Sequence, residues 1–74
     1  MNELRGEVFN WFPSITAFAE SLKWDRAKVS RIVNGRQRPT ADEMETIAKE
    51  LRISDEVSFV RIFFPSLFHK VAKR

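Results

Sequence analysis

The side chains best able to do chemistry in this chain are cationic and amide groups gathered in one short stretch. Arg26, Lys28 and Arg31 alternate with Ala27 and Ser30, and Asn34, Arg36, Gln37 and Arg38 follow at once. Guanidinium and ammonium groups mixed with hydroxyls and amides suit one task, the recognition of a polyanion through charge and hydrogen bonds. Catalytic sets are not apparent. The chain has no Cys and no Tyr, and its one histidine, His69, reads as an exposed residue on a terminal turn. Asp42, Glu43, Glu45, Asp55 and Glu56 cluster where helices begin, so they read as charges favourable to a helix dipole. The alternating oxygen ligands around a Gly that a calcium loop requires are absent. No enzyme activity, cofactor or metal is expected.

The elements that must position this stretch can be read around it. Ser14 after Pro13 is a good N-cap, and Phe18, Ala19 and Leu22 then recur at helical spacing. Ala19 is small enough for a second helix to cross closely. Asp25 can cap that second helix by accepting from the N–H of Lys28. The helix then runs from about Arg26 to Asn34. At roughly 100° per residue, Val29, Ile32 and Val33 form one apolar stripe, with Ala27, Ser30, Arg31 and Asn34 opposite and Arg26 and Lys28 on the flanks. Gly35 can take the left-handed conformation that ends a helix. Such an arrangement presents one short polar helix face, flanked by positive charge, to the major groove of DNA.

The remainder reads as scaffold. Leu4, Val8, Trp11 and Phe12 follow an amphipathic helical pattern ended by Pro13. Thr40-Ala41-Asp42-Glu43 is a capping box, followed by the buried stripe Met44, Ile47, Ala48 and Leu51. Ser54 is expected to cap a further helix carrying Val57, Val60, Phe63 and Phe64; Pro65 breaks it, and Ser66 opens a short turn with Leu67, Phe68 and Val71. The expected fold is all-α: a compact bundle of five short helices, six if the last turn counts, in one domain over residues 1–74.

The residues of the helical pair resemble the phage-repressor helix-turn-helix family of Cro/XRE type, with its lambda-repressor-like domain. The likeness is carried by Ala19, Trp24, Val29, Ile32 and the run Asn-Gly-Arg-Gln-Arg-Pro over 34–39, and it covers roughly Ser14 to Leu51. The motif itself spans about 15–34, with a Phe-rich segment over 55–72 beyond it. The resemblance implies that Arg26, Ala27 and Arg31 face base edges with Lys28 and Ser30 close by. Asn34, Arg36, Gln37 and Arg38 fall where the family holds phosphates. Two positions depart from the family pattern. Ile15 stands where Gln often bridges a phosphate and the recognition helix, which leaves Ser14 or Thr16 to make that contact. Lys23 stands where the turn often has Gly, and a left-handed non-Gly residue costs about 1 kcal/mol.

Charge is distributed to match. Residues 23–40 carry six basic groups and one acidic, residues 41–60 six acidic and two basic, and residues 61–74 return to +4. The basic segment would meet DNA, and the acidic block would keep the opposite side soluble and discourage wrong docking. The N-terminus lacks an apolar run, and Arg61 and Pro65 interrupt the most apolar stretch, so neither a secretory signal nor a membrane span is expected. A reducing cytoplasm fits the lack of Cys, in a bacterial or phage-infected cell with the protein on the nucleoid.

The fifth helix has more apolar residues than one core face needs. Val57, Val60 and Phe64 share one side, and Phe59, Ile62 and Phe63 lie towards another. The second side, with Phe68, is either core of a very small domain or a homodimer interface. The function implied is a sequence-specific regulator of transcription that binds double-stranded DNA as a homodimer, a phage or mobile-element repressor acting by promoter occlusion. The alternative is an antitoxin-like or protein-interaction module whose partner sits on the apolar C-terminal segment. The chain would be either a whole small repressor or the N-terminal part of a longer one.

Overall fold

The computed structural model describes residues 3–67. Within them the chain is all-helical: α1 (Glu3–Trp11), α2 (Ile15–Leu22), α3 (Arg26–Val33), α4 (Ala41–Glu50) and α5 (Glu56–Phe63), with Pro65–Leu67 beginning a further helical turn.

Local signals set most boundaries. Ser14 is extended and its Oγ accepts from the Ala17 N–H at 3.1 Å, which starts α2. Lys23 ends α2 in the left-handed region at φ 62°; its N–H reaches the Glu20 carbonyl, and the Trp24 N–H reaches that of Ala19. Asp25 then caps α3 by accepting from the Lys28 N–H at 3.2 Å. Asn34 and Gly35, the latter at φ 78°, end α3. The capping box of α4 is complete, with Thr40 Oγ1 accepting from the Glu43 N–H and Glu43 Oε1 accepting from the Thr40 N–H. Arg52 repeats the left-handed exit of Lys23, at φ 60°. The cap of α5 differs from expectation. Asp55, not Ser54, accepts from the Ser58 N–H, at 2.8 Å. Both side chains can cap, and the helix begins one residue later than Ser54 would require.

The core runs through all five helices. Val8, Phe18, Val29, Val33, Ile47 and Leu51 are fully buried, with Leu4, Ala19, Ile32, Met44, Ile62 and Phe63 closely covered. Removing a side chain such as Phe18 or Leu51 from water contributes about 1.5–3 kcal/mol. α2 packs most extensively on α3, and α1 closes against α5. Arg61 of α5 donates to Glu3 of α1 at 2.6 Å.

This packing bears on two expectations. Of the expected stripe Leu4, Val8, Trp11 and Phe12, Trp11 is half exposed, while Phe12 turns inward, its ring 5.0 Å from that of Phe18. Of the two alternatives for the second side of α5, core or homodimer surface, Ile62 and Phe63 fall to the core. Ile62 and Phe63 are buried in the chain's own core, only 4% and 7% exposed, whereas Val57 is 64% exposed. Phe59 is half-buried over Phe63 and Phe64, with ring centroids at 4.7 and 6.5 Å. Docking of α1 on α5 turns Ile62 and Phe63 inward. Phe68, Val71 and His69 lie outside the described residues.

Candidate nucleic-acid interface

The apolar stripe of α3, Val29, Ile32 and Val33, is buried, so the helix can show only its opposite side. Arg26, Ala27, Arg31 and Asn34 are exposed there, and Ser30 is partly covered. Both arginines are held by residues outside α3. Arg26 Nε donates to Thr16 Oγ1 at 2.8 Å, and Arg31 Nε donates to Gln37 Oε1 at 2.8 Å. In each case the terminal guanidinium nitrogens remain as further donors in a fork whose direction is fixed.

The loop after α3 is shaped by one carbonyl. The N–H groups of Arg36 and Gln37 both reach the Arg31 oxygen, at 2.8 and 3.2 Å. This folds the chain back over the end of the helix and brings the Gln37 side chain to Arg31. Gly35 at φ 78° permits the turn. Arg36 is exposed, while the Arg38 guanidinium lies 4.9 Å from the ring centre of Phe64, the residue that follows α5. At the other edge, Ser14 and Thr16 sit at the start of α2. The Ser14 oxygen is engaged as a cap, and Thr16 is the residue that reaches α3 in place of a side chain at Ile15.

Lys28, expected close by the base-facing residues, is engaged within the chain itself. Its ammonium is paired with the Glu43 carboxylate of α4 and lies 4.9 Å from the Trp24 ring centre. The Lys28 hydrogen bond, then the Thr40 N–H, holds the Glu43 carboxyl below the usual Glu range. Glu43 is thus part of the helical pair's surroundings and not only an acidic residue on a remote side.

Two participants were not visible in the sequence. Arg5 of α1 donates to Asn34 Oδ1 at 2.6 Å and lies over the Phe9 ring, which adds a cation at the end of α3. Asn34 in turn donates to Ser30 Oγ at 3.3 Å. The only sequence signal for Arg5 is its place beside Leu4, on the edge of the buried stripe of α1. Glu43 is the second, and its capping role hid its pairing role.

Among the described residues no group of acidic or histidine side chains is arranged to hold a metal ion, and no helix is long and apolar enough to cross a membrane.

Two capped helices joined by a left-handed turn, the first packed on the second and the second polar on its outer side, constitute a helix-turn-helix. The family model described as helix-turn-helix, of Cro/C1 type, matches residues 14–57, more than half of the chain, and the chain belongs to that family. It is a family of DNA-binding regulators. Neither the curated proteins nor the solved structures compared with the chain give a match.

Proposed function

We propose that this chain is a sequence-specific, double-stranded DNA-binding regulator of transcription. Its mode of action would be that of a phage or mobile-element repressor covering a promoter. The observation that carries the reading is the pair of braced arginines, Arg26 on Thr16 and Arg31 on Gln37, on the outer side of α3. An arginine whose direction is already fixed can take the O6/N7 edge of a guanine with little further ordering, worth about 1–3 kcal/mol of discrimination per base pair.

In this reading Arg26, Ala27, Ser30 and Arg31 meet base edges. Ala27 either touches a thymine methyl or simply allows the helix to approach. Ser14, Thr16, Asn34, Arg36 and Arg38 serve the phosphates. Thr16 accepts from Arg26 and keeps its own hydroxyl proton for a phosphate oxygen, so one side chain bridges backbone and recognition helix. Two chains would bind two half-sites about one helical turn apart. Any dimer contact through α5 falls to the exposed Val57 and the rim of Phe59, since Ile62 and Phe63 are committed to the core.

The exposed Val57 and Leu67, at 64% and 51%, favour a second reading in which a protein partner sits on the C-terminal segment.

Selection of bound duplexes from a random library near physiological salt tests the proposal. Enrichment of an inverted repeat is expected. A single half-site would remove the dimer from it. Failure to enrich any sequence would overturn it and favour the protein-partner reading.

A further inference from the structure

Lys28 is the third residue of α3, between Arg26 and Arg31, yet its charge is matched by Glu43. That carboxylate is not a free surface group. Its Oε1 accepts from the Thr40 N–H at 2.9 Å, and its own backbone N–H donates to Thr40 Oγ1 at 3.1 Å, so the capping box fixes it in place. An ordinary surface ion pair is weak largely because two long side chains must be ordered at once. Here one partner is already ordered, and the other lies along the face of Trp24. The Glu43 oxygen facing Lys28 is the one not used by Thr40.

We propose that Glu43 sets how many cations α3 brings to the DNA backbone. It is a positioning residue that holds Lys28 out of the phosphate count. The inference rests on the DNA-binding reading and goes beyond it.

The physical consequence concerns non-specific affinity. Binding to arbitrary sequence comes almost wholly from neutralising phosphates, and each phosphate contact adds about 0.9 to the slope of log K against log salt. A Lys28–Glu43 pair is neutral and adds nothing to that slope. A lone Lys28 would add one contact to every sequence alike. A lone Glu43, fixed beside α3, would repel every sequence alike. Pairing leaves the discrimination to Arg26 and Arg31 while keeping general attraction down.

The test measures binding to a duplex of random sequence across a range of salt, for wild type, Glu43→Gln and the double variant Lys28→Met with Glu43→Gln. Glutamine keeps the capping box, because its amide oxygen can still accept from Thr40, and thermal melting confirms that the fold is retained. For Glu43→Gln the slope is expected to steepen by about 0.9 per bound chain, an extra factor of about 3.5 per chain lost between about 50 and 200 mM salt. The double variant, neutral at both positions, is expected to return to the wild-type slope. A Glu43→Gln slope equal to wild type, with the double variant flatter by about 0.9 per bound chain, would mean that Lys28 reaches phosphate unhindered and would overturn the proposal. A wild type that binds no duplex fails the functional reading and this one with it. A wild type that binds, with an unchanged Glu43→Gln slope, fails this one alone.

Discussion

Arg26 and Thr16 tie the two helices of the motif together, the Arg26 Nε–H donating to the Thr16 hydroxyl oxygen at 2.8 Å. Ile15, the first residue of α2, cannot make a polar bridge, and the next residue along makes it instead. The bond orders Arg26 before DNA arrives. Thr16→Val keeps the shape of the side chain and removes the acceptor. It should weaken operator binding by about 1 kcal/mol, with little change in melting temperature, since Thr16 is exposed. Fluorescence anisotropy on the selected operator measures it. A loss of the same size when Thr16→Val is made in an Arg26→Ala background would mean that Thr16 acts on its own account and not through Arg26.

Lys23 and Arg52 both hold left-handed backbone, at φ 62° and 60°. Lys23→Gly should be neutral or stabilising, by up to about 1 kcal/mol, because Gly carries no steric cost there. Arg52→Gly should gain less, since Arg52 also lies over the Trp11 ring at 5.2 Å and that contact is lost. Thermal melts of the two variants compare them directly, and a larger gain at position 52 would show the ring contact to be without weight.

The assignment of Ile62 to the core and Val57 to the surface makes opposite demands on two apolar residues of one helix. Ile62→Ala should cost about 2–5 kcal/mol of folding stability, by lost burial and the cavity left behind. Val57→Ala should stay within about 0.5 kcal/mol. Urea unfolding at low protein concentration gives both values. Equal, small effects would return Ile62 to the surface.

Acid should weaken the fold through its caps. The Glu43 carboxyl is held below its ordinary value of 4.5, first by Lys28 and then by Thr40. The Asp55 carboxyl is held below 3.8, first by the Ser58 N–H it accepts from. A group whose folded value is depressed contributes stability above its unfolded value and loses it as pH falls through the folded one. Both contributions are therefore complete near neutral pH and fade from about pH 5 downward. Glu43→Gln should flatten that decline, as read by melting temperature between about pH 6 and 3. An unchanged profile would leave the pair without a part in stability.

The helical pair was legible because its signals are local. Ser14, Asp25, Asn34 and Gly35 each act within a few residues, and the outer side of α3 follows from helical spacing alone. The faces of α5 were not legible in this way. Its apolar residues occur on both sides, so spacing cannot choose, and the choice is made by α1, which is distant in sequence. The partners that brace the site were hidden for the same reason. Thr16 lies ten residues from Arg26, Gln37 lies six from Arg31 beyond the helix end, and Arg5 lies 29 from Asn34. Side-chain type marks what can bind, but only the closed chain decides which groups are already engaged.

The Glu3–Arg61 contact joins residues 58 apart. Closing so long a loop has an entropic cost that short-range pairs such as α2 with α3 do not bear. The expected order of assembly is therefore helical pair first and clasp last, and the same contact should be the first to part under strain. Amide hydrogens of α1 and α5 should then exchange sooner than those of α3. The recognition helix would sit in the most persistent part of the molecule, while α1 and α5 open and close around it.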